Sequence, residues 1–296
     1  MRLSRLAMFS VTCLAALVLA APQADARGRR GRVPPGDLPK SGTAERTVTR
    51  TGPAGTSHTS SGTTTWQRGN GQWSRDTVHT GSSGQQSTTH VQGAKTADGA
   101  VRDVTHTGPG GKTSTTHGEV HKTDTGYTRD TTHTGPNGQQ STTHVDAVKT
   151  EDGLVRDATH TGPGGKTSTT HDVIQKTADG HTRDTVHTGP NGQQVTTHVD
   201  VEKTADGVVR DTTRTGPDGK SVTSHDVVEK TANGYTREAT RTGPNGTTTV
   251  SGQGTWDPAS KTWTREKVVT RPDGKTSETD VTTHVSPGAQ APAPTE

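Results

Sequence analysis

A conventional core is what this chain most lacks. Apolar residues are 23% of its 296 positions and aromatics 2%, against about 45–50% apolar in ordinary globular domains. One cysteine cannot form an internal disulfide, so covalent staples do not replace the missing core. Neither charge sign dominates: the formal net charge is +3, which excludes a polyelectrolyte tail as the description of the whole chain. Helix is excluded over most of the length, because glycine or proline interrupts every window long enough to form one. No HExxH, cysteine cluster or acidic calcium loop is present, and no Gly-x-Ser-x-Gly elbow lies between strand and helix signals. This composition cannot line the dry pocket an enzyme needs, so a non-enzymatic protein is expected.

The one long apolar run lies at the start. Arg2 and Arg5 precede Leu6 to Ala20, and Ala24-Asp25-Ala26 offers a small-x-small cleavage site. That pattern predicts a signal peptide over residues 1–26 and a secreted, periplasmic or extracellular destination. The run is shorter than the roughly 20 residues a spanning helix requires, so no transmembrane span is expected after cleavage. Cleavage removes Cys13, Phe9 and both methionines, and leaves Leu38, Leu154 and Ile174 as the only leucine and isoleucine.

What the chain has instead is threonine and a period. Threonine makes up roughly a fifth of the residues, and its branched side chain favours strands. The motif typified by Thr-Gly-Pro-Asn-Gly begins at Thr51, Thr80, Thr107, Thr134, Thr161, Thr188, Thr215 and Thr242, with steps of 27 residues from Thr80 onward. Each unit holds two turn signals, Gly-Pro-x-Gly and x-Asp/Asn-Gly, as in Gly135-Pro136-Asn137-Gly138 and Glu151-Asp152-Gly153. Both fit three-residue hairpin loops in which glycine takes the positive φ. Turns about 13 residues apart leave strands of about eight to ten. The expected fold is all-β: an extended antiparallel β-meander of 27-residue two-strand units with little hydrophobic core. The array spans residues 47–285, between a basic Pro/Gly-rich disordered arm at 27–46 and a Pro/Ala tail at 286–296.

A 54-residue superperiod overlies the units. Valine directly follows histidine in His90-Val91, His144-Val145 and His198-Val199, but sits one place later in His171-Asp172-Val173 and His225-Asp226-Val227. With three-residue loops throughout, a 27-residue step would swap a homologous position between sheet faces, and the valine shift would restore it. Trp66 and Trp73, and likewise Trp256 and Trp263, are predicted to face each other across two-residue loops at Gly69-Asn70 and Ala259-Ser260. They would act as capping end units near 51–79 and 242–269, with a surface or glycan contact as the rival role.

Histidines are the reactive groups present in quantity. The same loop lengths predict opposed pairs His90–His106, His117–His133, His144–His160 and His171–His187, with Arg214 opposite His198 and Arg241 opposite His225. Asp103, Asp130 and Asp157 would lie beside His117, His144 and His171, giving Asp-His-His rows. Two imidazoles and a carboxylate suit a divalent metal, although a flat row does not converge as a tetrahedral site must. No other cofactor is expected. Arg27, Arg29, Arg30 and Arg32 could touch anionic surface polymers, whereas nucleic acid is not expected without interleaved aromatics. Cell-surface or matrix polymers and self-association through sheet edges are the expected partners.

The units resemble secreted bacterial proteins built from Thr-rich Thr-Gly-Pro-Asn/Asp-Gly hairpin repeats, with closing segments similar to Gly254-Thr-Trp256-Asp-Pro258-Ala-Ser-Lys-Thr-Trp263. The resemblance covers most of Thr47 to Val285 and implies an envelope or extracellular setting, with no active site. The tyrosine-aspartate repeats of toxin shells are a more distant comparison, whose Tyr-Asp signature is missing here. The leading functional expectation is a structural or adhesive repeat protein of the cell envelope or matrix. The alternative is a histidine-rich module for divalent metal or polyanionic glycan.

Overall fold

The computed structural model describes residues 40–287. The expected signal peptide, most of the basic arm and most of the C-terminal tail lie outside the described residues. Strand structure begins at Ser41, inside the segment expected to be arm, and ends at Pro287.

Eighteen strands follow one another: β1 (Ser41–Thr51), β2 (Ser57–Gly69), β3 (Gln72–Thr80), β4 (Gln86–Lys95), β5 (Gly99–Thr107), β6 (Thr113–Lys122), β7 (Gly126–Thr134), β8 (Gln140–Lys149) and β9 (Gly153–Thr161), then β10 (Thr167–Lys176), β11 (Gly180–Thr188), β12 (Gln194–Lys203), β13 (Gly207–Thr215), β14 (Ser221–Thr231), β15 (Gly234–Gly243), β16 (Gly246–Asp257), β17 (Thr262–Thr270) and β18 (Thr276–Pro287). Each pairs antiparallel with the next, as the hairpin periodicity predicts. The meander then closes on itself: β1 pairs with β18 from Gly42↔Pro287 to Thr51↔Glu278. Closure was not among the sequence expectations, and it removes the free strand edges on which edge-to-edge association would depend.

The two turns differ, and the difference sets everything that follows. Gly-Pro-x-Gly makes the expected three-residue loop except at Gly243-Pro244-Asn245-Gly246, where Gly243 pairs with Gly246 around two residues. Gly108 N–H donates to Lys112 O at 2.9 Å, Gly111 N–H returns to Gly108 O at 2.9 Å, and Gly111 has φ of 75°. The x-Asp-Gly turn instead has two residues: Thr96 N–H bonds Gly99 O at 3.2 Å around Ala97-Asp98. Gly99 is not a positive-φ residue. It is glycine because a Cβ there would lie 1.7 Å from Val120 O on the next strand.

One three-residue and one two-residue loop bring the chain back to level after 25 residues. Val91 pairs with Val104, which pairs with Thr116. Its homologue Gly118 therefore sits two residues further along the strand and on the same face. The expected face swap does not occur. The faces also explain why apolar residues divide evenly between odd and even numbers, since each loop length resets parity.

A slip of two residues per unit accumulates to a stagger of about 20 residues over one circuit, which tilts the strands by about 40°. The slip matches the tilt, so homologous positions lie at nearly one height along the barrel axis. A circular section of 18 strands at this tilt has a backbone diameter of roughly 35 Å, in the range where barrels enclose water rather than a packed core. Among the described residues, no strand has a Cα within 8 Å of any strand except its two neighbours.

The hydrophobic core is a thin belt on one face: Val48, Val91, Val145, Ala147, Val199, Trp263, Val281 and Val285. This is the concave face, since closure crowds side chains inward and splays them outward. Val145 is 2% exposed, whereas Val148 on the other face is 46% exposed. Threonine hydroxyls pair along the ladders, as at Thr49–Thr59 and Thr64–Thr77, both 3.1 Å, each pair contributing about 0.2–1 kcal/mol.

The tryptophan hairpins do not cap open ends, because closure brings them to either side of the β1–β18 seam. Trp256 and Trp263 are opposed as expected, although their loop is four residues long, Pro258 to Lys261. Trp66 and Trp73 are not opposed. The turn is Asn70-Gly71, so Trp66 pairs with Arg75 and Trp73 with Arg68. Each ring lies over a glycine instead, where a Cβ on Gly42 or Gly93 would come within 2.5 Å of it.

Candidate functional site: two oppositely charged walls

The registers sort the charges. Following them from strand to strand, every arginine and lysine within a strand lies on the inner face. Every aspartate and glutamate within a strand lies on the outer face except Asp172 and Asp226. The cause is local. Arg-Asp neighbours such as Arg129-Asp130 point to opposite sides of a strand, and the fixed slip repeats that choice in each unit.

On the outer wall, the expected Asp103, Asp130 and Asp157 contacts form. His117, His144 and His171 bring Nδ1 to 2.7 Å from these carboxylates. Sequence reasoning missed three partners of the same kind. His90–Asp76 and His198–Asp184 are 2.6 Å apart, and His225–Asp211 is 2.7 Å. The signal was the Arg-Asp repeat itself, extended to every unit. The Asp76, Asp130 and Asp103 contacts raise the pKa of His90, His144 and His117, through the hydrogen bond first and the opposite charge second.

The Asp-His-His rows do not form. With the two-residue turn, His106, His133, His160 and His187 stand opposite Thr89, Thr116, Thr143 and Thr170. Each Nδ1 lies 2.9 Å from the threonine hydroxyl. They line the inner wall, whereas His90, His117, His144 and His171 line the outer one, so the proposed histidine pairs are separated by the sheet. Arg214 and Arg241 likewise face Thr197 and Ser224 rather than histidine. The densest outer cluster runs Asp98–His121–Glu119–His117–Asp103. Glu119 lies 3.0 Å from His117 Nε2 and 3.5 Å from His121 Nε2. His117 is thus held by carboxylates at opposite edges of its ring, a geometry that strings charges in a line. No group of three or more His, Cys, Asp or Glu suited to a metal ion occurs among the described residues.

The inner wall holds a belt the sequence reading did not identify as a site. Arg46, Arg75, Arg102, Arg129, Arg156, Arg183, Arg210, Arg237 and Arg265 supply one arginine from every odd-numbered strand. Around them lie small or aliphatic neighbours: Arg102 is opposite Gly93 and Gly118, and Arg129 is opposite Val120 and Val145. Asp172, fully buried, accepts from Arg183 Nη2 at 2.6 Å and Thr185 Oγ1 at 2.6 Å, with Arg156 Nη2 at 2.7 Å from its other oxygen. That second contact is charge proximity without hydrogen-bond alignment, since Oδ2 accepts no well-directed donor. Burial by itself would raise the Asp172 pKa, but the bonds and charges of Thr185, Arg183 and Arg156 outweigh it and hold the pKa low. Asp226 is occupied on both oxygens by Arg237, at 2.7 Å each.

Elsewhere in the belt, Arg129, Arg210 and Arg265 form no ion pair with an acid among the described residues. Burial, and then the like charge of the next arginine, lowers the pKa of Arg102 and of Arg129. Arg129 Nε is buried without a hydrogen-bond partner among the described residues. Arg102 also lies 5.9 Å from the Trp73 ring centroid, a cation–π contact. Tyr235 stacks on Trp263 at 5.9 Å over Gly254. No family profile and no curated protein matches this chain.

Proposed function

We propose that this is a non-enzymatic secreted structural or adhesive protein of the cell envelope or extracellular matrix. The observation that carries the reading is the repetition of one set of side chains around the whole wall, which distributes contact over many equal positions rather than concentrating it in one cleft. Multiple equal contacts suit adhesion to a polymer or matrix, where linked weak sites raise overall avidity. Export is supported by the pattern of residues 1–26. Both walls carry ionisable groups in successive units, where a membrane-spanning barrel would turn an apolar band about 25 Å tall outward. This favours water on both sides.

The test is expression of the full chain in a bacterium with an intact secretion pathway, followed by fractionation and N-terminal sequencing. Recovery from envelope or medium with Arg27 as first residue is expected. Retention in the cytosol with Met1 intact would overturn it.

A further inference from the structure

The arginine belt has more charge than its own structure uses. A protein gains nothing in stability by lining a concave wall with like charges, since neighbouring guanidinium groups repel and burial weakens their hydration. Two acids do enter the wall, and both are consumed: Asp172 between Arg156 and Arg183, and Asp226 by Arg237. Arg129, Arg210 and Arg265 form no ion pair among the described residues, although Arg210 stands directly opposite Asp226.

We propose that the barrel interior is a binding site for a linear acidic polysaccharide, held by the arginine belt. Three features select this occupant. The belt is a ring of nine arginines into which only Asp172 and Asp226 intrude among the described residues, so a chain with charge at regular intervals can meet positive charge on most of its circuit; guanidinium forks match carboxylate and sulfate oxygens two at a time. With a circular section the inward side chains would leave a bore roughly 20 Å across, which admits a polymer strand with its hydration rather than a folded domain. Hydroxyls stand beside the belt in repeated positions, including Thr116, Thr143 and Thr170 on the inner wall; they suit the hydroxyls of sugars. Aromatic rings, which single-stranded nucleic acid needs along its path, are few on this wall. The tryptophans cluster near the seam, where Trp73 lies against Arg102 and Trp66 pairs with Arg75.

This names a polymer class for the adhesive role proposed above and rests on that reading, yet the two fail separately. Export is read from the N-terminus of the secreted product, and this inference from binding by purified protein.

The experiment is fluorescence anisotropy with fluorescein-labelled dextran sulfate, against neutral dextran and labelled polyuridylate. Dextran sulfate should bind with an affinity that falls steeply as salt rises, and neutral dextran should not bind. Joint Arg129→Gln and Arg210→Gln substitution should weaken binding about tenfold with an unchanged far-ultraviolet strand spectrum. Joint Arg129→Lys and Arg210→Lys substitution, which keeps charge but loses the fork and serves if the glutamine variant unfolds, should weaken binding about threefold, and unchanged binding by it would overturn the role of the guanidinium forks. Changing Arg29, Arg30 and Arg32 to glutamine should leave binding intact. Undiminished binding by the Arg129→Gln, Arg210→Gln protein, loss of binding on changing the arm alone, or insensitivity of the parent to salt would each overturn the proposal. Polyuridylate binding as tightly as dextran sulfate would overturn the choice of polysaccharide.

Discussion

His144 and His160 lie on neighbouring strands but on opposite sides of the wall, because His160 pairs with Thr143 and not with His144. Two imidazoles separated in this way do not repel each other directly as they charge. Their hydrogen-bond partners differ: the Asp130 carboxylate outside for His144, and the Thr143 hydroxyl inside for His160.

His144 should titrate above its ordinary value of 6.5, because the Asp130 and then the Asp146 hydrogen bonds favour the charged ring. A base whose folded pKa is raised contributes stability that is complete below the unfolded pKa and lost as pH rises through the folded one. The sheet should therefore loosen slightly from about pH 6.5 upward, not on acidification through that range. The effect is small, since these groups are half exposed and screened by solvent. Histidine titration by NMR should place His144 above the reference, and Asp130→Asn should bring it down. A His144 titration that ignores Asp130→Asn would remove the basis for this pH dependence.

Asp172→Asn should cost about 2 kcal/mol or more in denaturant unfolding, because it leaves Arg156 and Arg183 facing each other across a buried amide. The figure is held below that of a fully buried pair because Arg156 and Arg183 are 32% and 39% exposed. Since the folded pKa of Asp172 is depressed below 3.8, its contribution is present above the unfolded pKa and is lost as pH falls through the folded one. Equal stability of parent and variant at pH 7 would show that the arginines relax into water instead.

Two glycines in the turns at either end of β8 should respond differently to alanine. Gly138 has φ of 75° with nothing near its virtual Cβ, so Gly138→Ala costs only backbone strain of about 1–2 kcal/mol. At Gly153 the Cβ would sit 1.8 Å from Ile174 O, and the strand pair must part. Gly153→Ala should cost clearly more, measured by thermal unfolding of both variants; the reverse order would place the close approach elsewhere.

Excision of residues 140–166, one 27-residue step, should preserve the alternation of faces, whereas excision of 140–165 should not. The shorter deletion moves downstream side chains by one place and turns the arginines outward. Chemical denaturation should find the 27-residue deletion the more cooperative of the two.

Strands, hairpin order and the Asp103–His117 type of contact were legible because Gly-Pro-x-Gly makes a three-residue loop in the units that carry those histidines. The other contacts were missed for a single reason. Thr96-Ala97-Asp98-Gly99 looks like a loop needing left-handed glycine, while in the barrel its glycine is selected by the distance to Val120 O. A close approach to the strand beyond the following turn leaves no local mark. That one-residue error placed His106 opposite His90 rather than Thr89 and hid the belt to which Arg102 belongs. Closure was equally unreadable, because the pairing of Val48 with Val281 joins residues separated by most of the chain.

The slip of two residues per unit gives the repeat number a meaning of its own. Each unit widens the tube by one hairpin and adds one arginine to the belt and at least one acid outside, without altering the height of any tier. Gene duplication in such a chain changes calibre, whereas point mutation changes lining. The two can be selected independently, so relatives with more or fewer units would be expected to differ in the girth of what they enclose before they differ in its chemistry.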